Sequence, residues 1–305
     1  MPANRRTFLL GAATTVFVPM AAARVVSENR LGTRMLDITI DSPALGAAVP
    51  VRLLLPPGWT PGSSRSWPVL YLLHGAGDDY TSWTRSTDVS ALVQQQEMLV
   101  VMPSGGRDGF YSDWRTGQHW ETFHLTEMLP IIERGYGASG TRVIAGLSMG
   151  GFGAMSYAAR HPGMFQAAAS YSGLLHTRQS ARSTSLIQGV LVKDGYDPFA
   201  LWGDPIVNAA VWAGHNPYDL ADRLLGIPLY VACGDGQVGP LDPPGALPDF
   251  AIEPVCRDQS TAFIQRVRQL GGTVTANIYS PGTHNWGWWQ RELHSSFPML
   301  TTALA

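Results

Sequence analysis

The residues best placed to do chemistry in this chain stand in one string, Val143-Ile144-Ala145-Gly146-Leu147-Ser148-Met149-Gly150-Gly151. It is a G-x-S-x-G match with an apolar strand pattern before it and a helical pattern, Met149–Arg160, after it, which is the context such a nucleophile turn requires. Ser148 would stand at the apex of a tight strand-to-helix reversal. Gly146 and Gly150 flank it because side chains there would collide. The turn lifts the hydroxyl clear of the sheet and aims the amide of Met149 at a developing oxyanion. A hydroxyl at its ordinary pKa is a weak nucleophile, so a base and an orienting acid are needed. His176, His215, His284 and His294 follow Ser148 in the chain. Of these, His284 lies in Ser280-Pro281-Gly282-Thr283-His284-Asn285-Trp286, directly after the last strand pattern and before the last helix. A loop at the carboxyl edge of a sheet would deliver a base from there. His294 falls inside a helical pattern, and His161, before Pro162, reads as a helix cap. For the acid the pattern favours Asp235, which ends a strand in Cys233-Gly234-Asp235-Gly236, with Glu253 near a helix start as the competitor. A second oxyanion donor is expected from Leu72-Leu73-His74-Gly75-Ala76-Gly77, at the Ala76 amide. No Lys-Ser/Thr pair follows those glycines, so this is not a phosphate loop.

These residues need a frame that brings strand ends together. Strand patterns are expected at Met35–Ile40, Val51–Leu55, Val69–Leu73, Leu99–Met102, Arg142–Ala145, Ala167–Tyr171, Leu229–Ala232 and Val274–Tyr279. Each is short and bounded by turn residues. Helices are expected at Val89–Gln96, Thr122–Arg134, Met149–Arg160, Tyr218–Leu225, Ser260–Leu270 and Trp288–Thr301. The first two strands can form an antiparallel hairpin. From Val69 onward strand and helix alternate, so the expected class is α/β, a mostly parallel central sheet flanked by helices. Gly173–Gly214 has weak periodicity and reads as a loop-rich excursion capping the sheet. Gly234–Pro254 reads as another surface loop. No linker or repeat divides the chain.

Composition narrows the function. Charged residues make up only 14% of 305, and the formal net charge is −2, without the basic excess of a nonspecific nucleic-acid binder. Lys193 is the single lysine. Two cysteines are too few for a disulfide framework or a structural zinc site, and Cys233 and Cys256 could pair or stay free. No H-E-x-x-H or similar ligand spacing occurs, so neither a metal nor a cofactor is implied. The N-terminus has Arg5-Arg6 before Phe8-Leu9-Leu10, a mostly apolar run to Met20 and then Ala21-Ala22-Ala23. This is the layout of a twin-arginine export signal over 1–23, leaving a mature chain of 24–305 outside the cytoplasmic membrane. Its apolar run is too short to span a bilayer, and no transmembrane anchor is expected later.

Together these residues resemble the esterase D group of α/β-hydrolases and, more closely, the mycolyltransferases of the antigen 85 complex. The resemblance is carried by Val101-Met102-Pro103-Ser104-Gly105-Gly106 through Phe110-Tyr111-Ser112-Asp113-Trp114, by Trp120-Glu121-Thr122-Phe123, and by Gly146-Leu147-Ser148-Met149 with Ser172-Gly173-Leu174-Leu175. It resumes at Tyr230-Val231-Ala232-Cys233-Gly234 and Gly282-Thr283-His284-Asn285-Trp286. It implies an α/β-hydrolase fold and reverses the choice of acid. The family's acid is a glutamate at the start of the helix before the last strand. Counting back from Gly271-Gly272 without a gap reaches Glu253, and the family carries asparagine at Asp235. The resulting assignment is Ser148, Glu253 and His284, with Asp235 as the alternative acid and Met149 and Ala76 as oxyanion donors. The family has an aspartate at His74 and a nearby arginine that this chain lacks; both belong to its sugar site. His74 reads instead like the H-G of simple carboxylesterases, and it is assigned with Trp286, which matches an acceptor-site tryptophan, to substrate binding. The expected function is an exported serine acyl-ester hydrolase or acyltransferase, working through an acyl-enzyme on a small-molecule or lipid acyl ester. The alternative is a mycolyltransferase or diacylglycerol acyltransferase with a sugar or glycerol acceptor. A non-catalytic envelope or matrix-binding protein on the same scaffold is the rival of another class; such proteins usually lose the nucleophile or base.

Overall fold

The computed structural model describes residues 22–305. Apart from Ala22 and Ala23, the expected export signal lies outside the described residues. The strands are β1 (Arg24–Arg30), β2 (Met35–Ser42), β3 (Ala47–Leu54), β4 (Trp67–Leu73), β5 (Leu99–Pro103), β6 (Ala138–Leu147), β7 (Ala167–Tyr171), β8 (Leu229–Cys233) and β9 (Thr275–Ile278). The helices are α1 (Ser82–Ser86), α2 (Val89–Leu92), α3 (Trp120–Thr122), α4 (Leu129–Tyr136), α5 (Met149–Arg160), α6 (Ala181–Lys193), α7 (Ala209–His215), α8 (Glu253–Gln269) and α9 (Trp286–Thr302). Among the described residues the strands form one sheet in the order β1-β2-β3-β5-β4-β6-β7-β8-β9. Pairing is antiparallel from β1 to the β3–β5 contact and parallel from β5 to β9. This is the α/β-hydrolase arrangement.

The central strands are mostly apolar where they are buried, because helices cover both faces. Every residue of β5, β7 and β8 is buried. The parallel registers put the carboxyl ends side by side: Leu73 opposite Gly146, Leu147 opposite Tyr171, Tyr171 opposite Ala232 and Cys233 opposite Ile278. The loops that follow β4, β6, β7, β8 and β9 therefore converge on one rim, where open α/β sheets bind ligands.

The sequence patterns located the sheet and missed several elements. β1 has no alternation; it is an edge strand with nearly all its side chains exposed. The Gly173–Gly214 excursion contains α6 and α7 rather than loop alone. α6 starts at Ser180, whose hydroxyl accepts from the Ser183 amide, and buries only Ser183, Ile187 and Leu191, too thin a stripe to read as a period. The expected helix Val89–Gln96 ends after Leu92, and Tyr218–Leu225 is reduced to a 3₁₀ turn at Ala221–Leu224. The helix expected over Thr122–Arg134 runs from Trp120 to Tyr136 through a π turn at Phe123–Met128. Pro130, which has no N–H to donate, lies just beyond that turn. α8 begins at Glu253, seven residues before the expected Ser260. Cys233 and Cys256 are both free and buried.

The packing of α5 onto the strand ends is set by two glycines. A Cβ on Gly146 would stand 2.2 Å from the Gly150 carbonyl oxygen, and one on Gly150 would stand 2.3 Å from that of Leu73. Both obstacles are backbone and cannot step aside. Gly150→Ala should therefore lower unfolding stability by at least about 2 kcal/mol, in the upper range for overpacked cores. Gly189→Ala, in α6 with nothing within 4 Å of the added Cβ, should be neutral or stabilising by up to about 1 kcal/mol. Denaturant midpoints of the two variants check this pair.

Candidate active site

Ser148 sits between β6 and α5 with φ 52° and ψ −119°. That is a strained conformation for a residue with a Cβ, costing on the order of 1–3 kcal/mol. The Ser148 amide donates to Tyr171 O at 2.8 Å, which ties the turn to the end of β7. Met149 opens α5, so its amide has no carbonyl four residues back within the helix to bond. The Ala76 amide stands in the loop after β4, held by the Gly77 amide donating to Arg107 O at 2.7 Å. Among the described residues neither the Ala76 nor the Met149 amide donates to a protein acceptor.

Glu253 and His284 are brought together. The His284 Nδ1–H donates to Glu253 Oε2 at 2.6 Å. Glu253 is fully buried. Its Oε1 accepts from the Gly234 amide at 2.6 Å, from Ser172 Oγ at 2.8 Å and from Cys233 Sγ at 3.2 Å. The first turn of α8 that carries it is held by Asp249, whose carboxylate accepts from the amides of Ala251, Ile252 and Glu253 at 2.8 to 2.9 Å. Burial raises the Asp249 carboxyl, but these three donors outweigh it and hold the group below its ordinary range. The His284 ring packs edge-on against Trp289 at 4.9 Å, and the Trp289 indole N–H donates to Ser172 Oγ at 3.1 Å. Trp289 in turn packs against Trp286, and Trp286 against Trp83.

Asp235 is not near the imidazole nitrogen in this way. It accepts from the Gln237 amide at 2.9 Å, the Gly282 amide at 3.2 Å and the Ser280 hydroxyl, so it ties the β8 loop to the β9 loop. His74 needs correcting as a substrate-binding residue. It is 1% exposed, its Nδ1–H donates to Gly75 O at 2.8 Å, and its Nε2 accepts from the Gly105 amide at 2.8 Å. With both nitrogens engaged, and burial holding its pKa below the ordinary value, it is a neutral strut under the Ala76 loop. His161 caps α5 and pairs with Glu121 at 2.7 Å, and His294 pairs with Asp88 at the surface.

Ala76, Ser148 and His284 line two cavities, of about 180 and 230 Å³. The Ser148 hydroxyl makes no hydrogen bond among the described residues, and neither does His284 Nε2. Such contacts are often loose until substrate arrives. The smaller cavity is walled by apolar side chains of Phe110, Leu174, Leu186 and Ile252 and by the charged Arg107, Asp108, Lys193 and Asp194. The larger is lined by Asp78, Asn285, Trp286 and Trp289. Ser172, Asp249, Trp289 and Asp108 were missed by sequence reasoning. Only Ser172 left a signal, as part of the matched Ser172-Gly173-Leu174-Leu175 string. Among the described residues no cluster of side chains could hold a metal ion, and no helix is long and apolar enough to cross a membrane.

The Phe110–Trp114 and Trp120–Phe123 strings serve as scaffold. Asp113 accepts from the Thr122 amide at 2.9 Å and from its hydroxyl at 2.6 Å, and the Tyr111 hydroxyl donates to His74 O at 2.9 Å. Phe110 lies at the cleft and packs against Phe152 and Trp202.

Known proteins share this framework. A diacylglycerol acyltransferase/mycolyltransferase Ag85B of Mycobacterium leprae is 31% identical over 320 residues, covering 98% of this chain and 94% of that protein. The crystal structure of Mycobacterium tuberculosis MPT51 (FbpC1) superposes with a TM-score of 0.71 at 25% identity, over 87% of this chain and 96% of that one. A ferulic acid esterase superposes with a TM-score of 0.68 at 25% identity, over 92% and 99%. The expected resemblance thus extends along nearly the whole length. With the Esterase family model matching residues 42–300, the chain belongs to the Esterase family and is an enzyme of the esterase/acyltransferase kind.

Proposed function

We propose that this enzyme is a serine-dependent acyl-ester hydrolase in which Ser148, His284 and Glu253 act as nucleophile, base and orienting acid. The observation that carries the reading is the buried Glu253–His284 hydrogen bond, opening onto the same cavities as a serine on a strained turn. Because His284 Nδ1 carries the proton given to Glu253, Nε2 presents a lone pair. Ser148 Oγ attacks the ester carbonyl as its proton passes to Nε2. The oxyanion forms between the Ala76 and Met149 amides, which are free to donate. Collapse breaks the ester C–O bond, and Nε2 returns the proton to the departing alkoxide, leaving an acyl-enzyme and an alcohol. Water, deprotonated by His284, then attacks the acyl carbonyl, releasing the acid and restoring Ser148. Glu253 stays ionised throughout and stabilises the imidazolium.

The acyl group is assigned to the smaller cavity, with its apolar wall. The larger cavity, where Trp286 stands beside Asp78 and Asn285, suits the alcohol side. That polar lining supports a second reading, in which a sugar or glycerol hydroxyl replaces water as acceptor. Turnover of p-nitrophenyl esters of increasing chain length, with and without glycerol or trehalose, separates the two. A rise in total turnover with acceptor marks transfer, and no response marks hydrolysis. Export is also proposed. The first strand begins at Arg24, so cleavage after Ala23 would leave the sheet whole.

Ser148→Ala should lower ester turnover at least about 10³-fold without a change in melting temperature, since only binding and oxyanion stabilisation remain. A folded variant retaining a tenth of the activity would contradict the mechanism. Glu253→Gln should cost up to about 10⁴-fold in kcat, as loss of the acid disturbs the tautomer and the imidazolium. Asp235→Asn should cost about tenfold or less. Near-normal kcat for Glu253→Gln beside an inactive Asp235→Asn would transfer the role to Asp235. N-terminal sequencing of protein secreted from an actinobacterial host should begin at Arg24; a terminus at Met1 or Pro2 would refute export with cleavage.

A further inference from the structure

Three buried polar side chains are joined in series to the Ala76 loop, and the reaction described above uses none of them. His74, His124 and Tyr157 are 1%, 2% and 1% exposed, and none lines either cavity that holds Ser148. His124 lies in the π turn at Phe123–Met128, an irregularity often found at functional sites. Its Nε2 stands 2.8 Å from Ser104 O and its Nδ1 2.9 Å from the Tyr157 hydroxyl. A carbonyl can only accept, so Nε2 carries the proton. Burial pulls the His124 pKa down to about 4, so the ring is neutral, Nδ1 accepts and the Tyr157 hydroxyl donates.

The direction of the bonds continues to the cleft. The Gly105 amide is the other end of the peptide group whose oxygen is Ser104 O, and it donates to His74 Nε2 at 2.8 Å. An amide can only donate, so the neutral His74 carries its proton on Nδ1 and donates to Gly75 O at 2.8 Å. Gly75 O and the Ala76 N–H are again two ends of one peptide group. The Asp78 amide donates to Gly75 O as well, at 3.4 Å, in the same sense. Every bond from Tyr157 to Ala76 thus runs one way. A hydrogen bond accepted at a peptide oxygen draws electrons from its nitrogen through the amide resonance and makes the N–H a stronger donor. Apolar packing could hold a loop without the desolvation cost of three buried polar groups, so their alignment calls for a reason.

We propose that Tyr157, His124 and His74 are positioning residues for the oxyanion, a one-way hydrogen-bond relay through two peptide groups that polarises the Ala76 amide toward the negative oxygen. This rests on the serine-hydrolase reading above, with Ala76 as oxyanion donor. As charge develops on the substrate oxygen, the Ala76 N–H is drawn to it, Gly75 O becomes more negative, and each bond behind it tightens. Cooperative strengthening of about 10–30% per bond, applied to an oxyanion donor worth about 10²–10³ in rate, makes one link worth about two- to eightfold.

Tyr157→Phe removes the first donor and almost no volume. In hydrolysis of p-nitrophenyl butyrate by the full-length mature enzyme it should lower kcat/KM about two- to eightfold. It should weaken inhibition by butyl trifluoromethyl ketone by the same factor. Ser148 Oγ bonds to that ketone's carbonyl carbon, the π pair moves onto oxygen, and the serine proton passes to His284, so the adduct carries the oxyanion. The corresponding secondary alcohol cannot add, and its affinity should stay within about twofold of wild type. His124→Phe breaks the relay at its centre and should cost at least as much as Tyr157→Phe. Adding Tyr157→Phe to it should then change little, because the hydroxyl acts only through the imidazole. Melting temperatures check that the variants are folded. In the wild-type enzyme, imidazole nitrogen NMR shifts should show the proton of His124 on Nε2 and that of His74 on Nδ1; the opposite tautomer in either ring would overturn the relay. Wild-type kcat/KM and ketone affinity in folded Tyr157→Phe, equal weakening of ketone and alcohol, or additive losses in the double variant would overturn it too and leave the triad standing. Failure of the folded wild-type enzyme to hydrolyse the ester, or to bind the ketone more tightly than the alcohol, would overturn the serine-hydrolase reading and the relay with it.

Discussion

A carboxylate sealed from solvent has to be satisfied on every side, and Glu253 is the group in this molecule on which that demand falls. Removing a charge from water carries an effective penalty of several kcal/mol, offset only when its lone pairs are all engaged. Here Oε1 takes the Gly234 amide, the Ser172 hydroxyl and the Cys233 thiol, and Oε2 takes His284. Those partners come from the ends of β7 and β8 and from the loop after β9. The carboxylate can be accommodated only if three strand ends, and the first turn of α8, are in their final places. Asp249, Trp289 and the edge-on tryptophans behind it, Trp286 and Trp83, brace that arrangement.

The opposite wall of the cleft answers a different constraint. Ser148 must stand clear of the sheet with its neighbour's amide beside it. This requires backbone to touch backbone at Gly146, Gly150 and Leu73. The strain of the turn is held by the packing of α5, whose residues from Met149 to Ala159 are all buried. His74 and Tyr111 brace the loop that carries Ala76 from below. The chemistry proposed for the site thus draws on one region closed by hydrogen bonds to a charge and another closed by steric contact, meeting at Ser148 and His284.

Between them lie two cavities of unlike character, and α6 accounts for much of the difference. Leu186 and Val190 from that helix wall the smaller one, and Lys193 and Asp194 at its end bring charge to it. The excursion that contains α6 thus walls the cavity, while Ser148, His284 and Glu253 stand on turns and a helix start at the strand ends. Relatives that share the frame include both acyltransferases and an esterase.

The sequence alone was enough for whatever depends on neighbours in the chain. The turn at Ser148 follows from a strand, two glycines and a helix within nine residues, and His284 from its position between the last strand and the last helix. The acid was open on the residues themselves, because Asp235 and Glu253 are separated by a Gly- and Pro-rich loop whose return path no local pattern encodes. The family resemblance pointed to Glu253; in the fold Asp235 turns outward to Ser280 and Gly282, while the helix start swings Glu253 inward to His284. His74 had the right chemistry for a substrate contact, but the direction of its side chain was decided by packing beneath the loop. α6 was hidden because only one narrow face of it is buried. Side-chain direction, and the meeting of groups far apart in the chain, are properties of the closed sheet, and so only the tertiary structure could decide them.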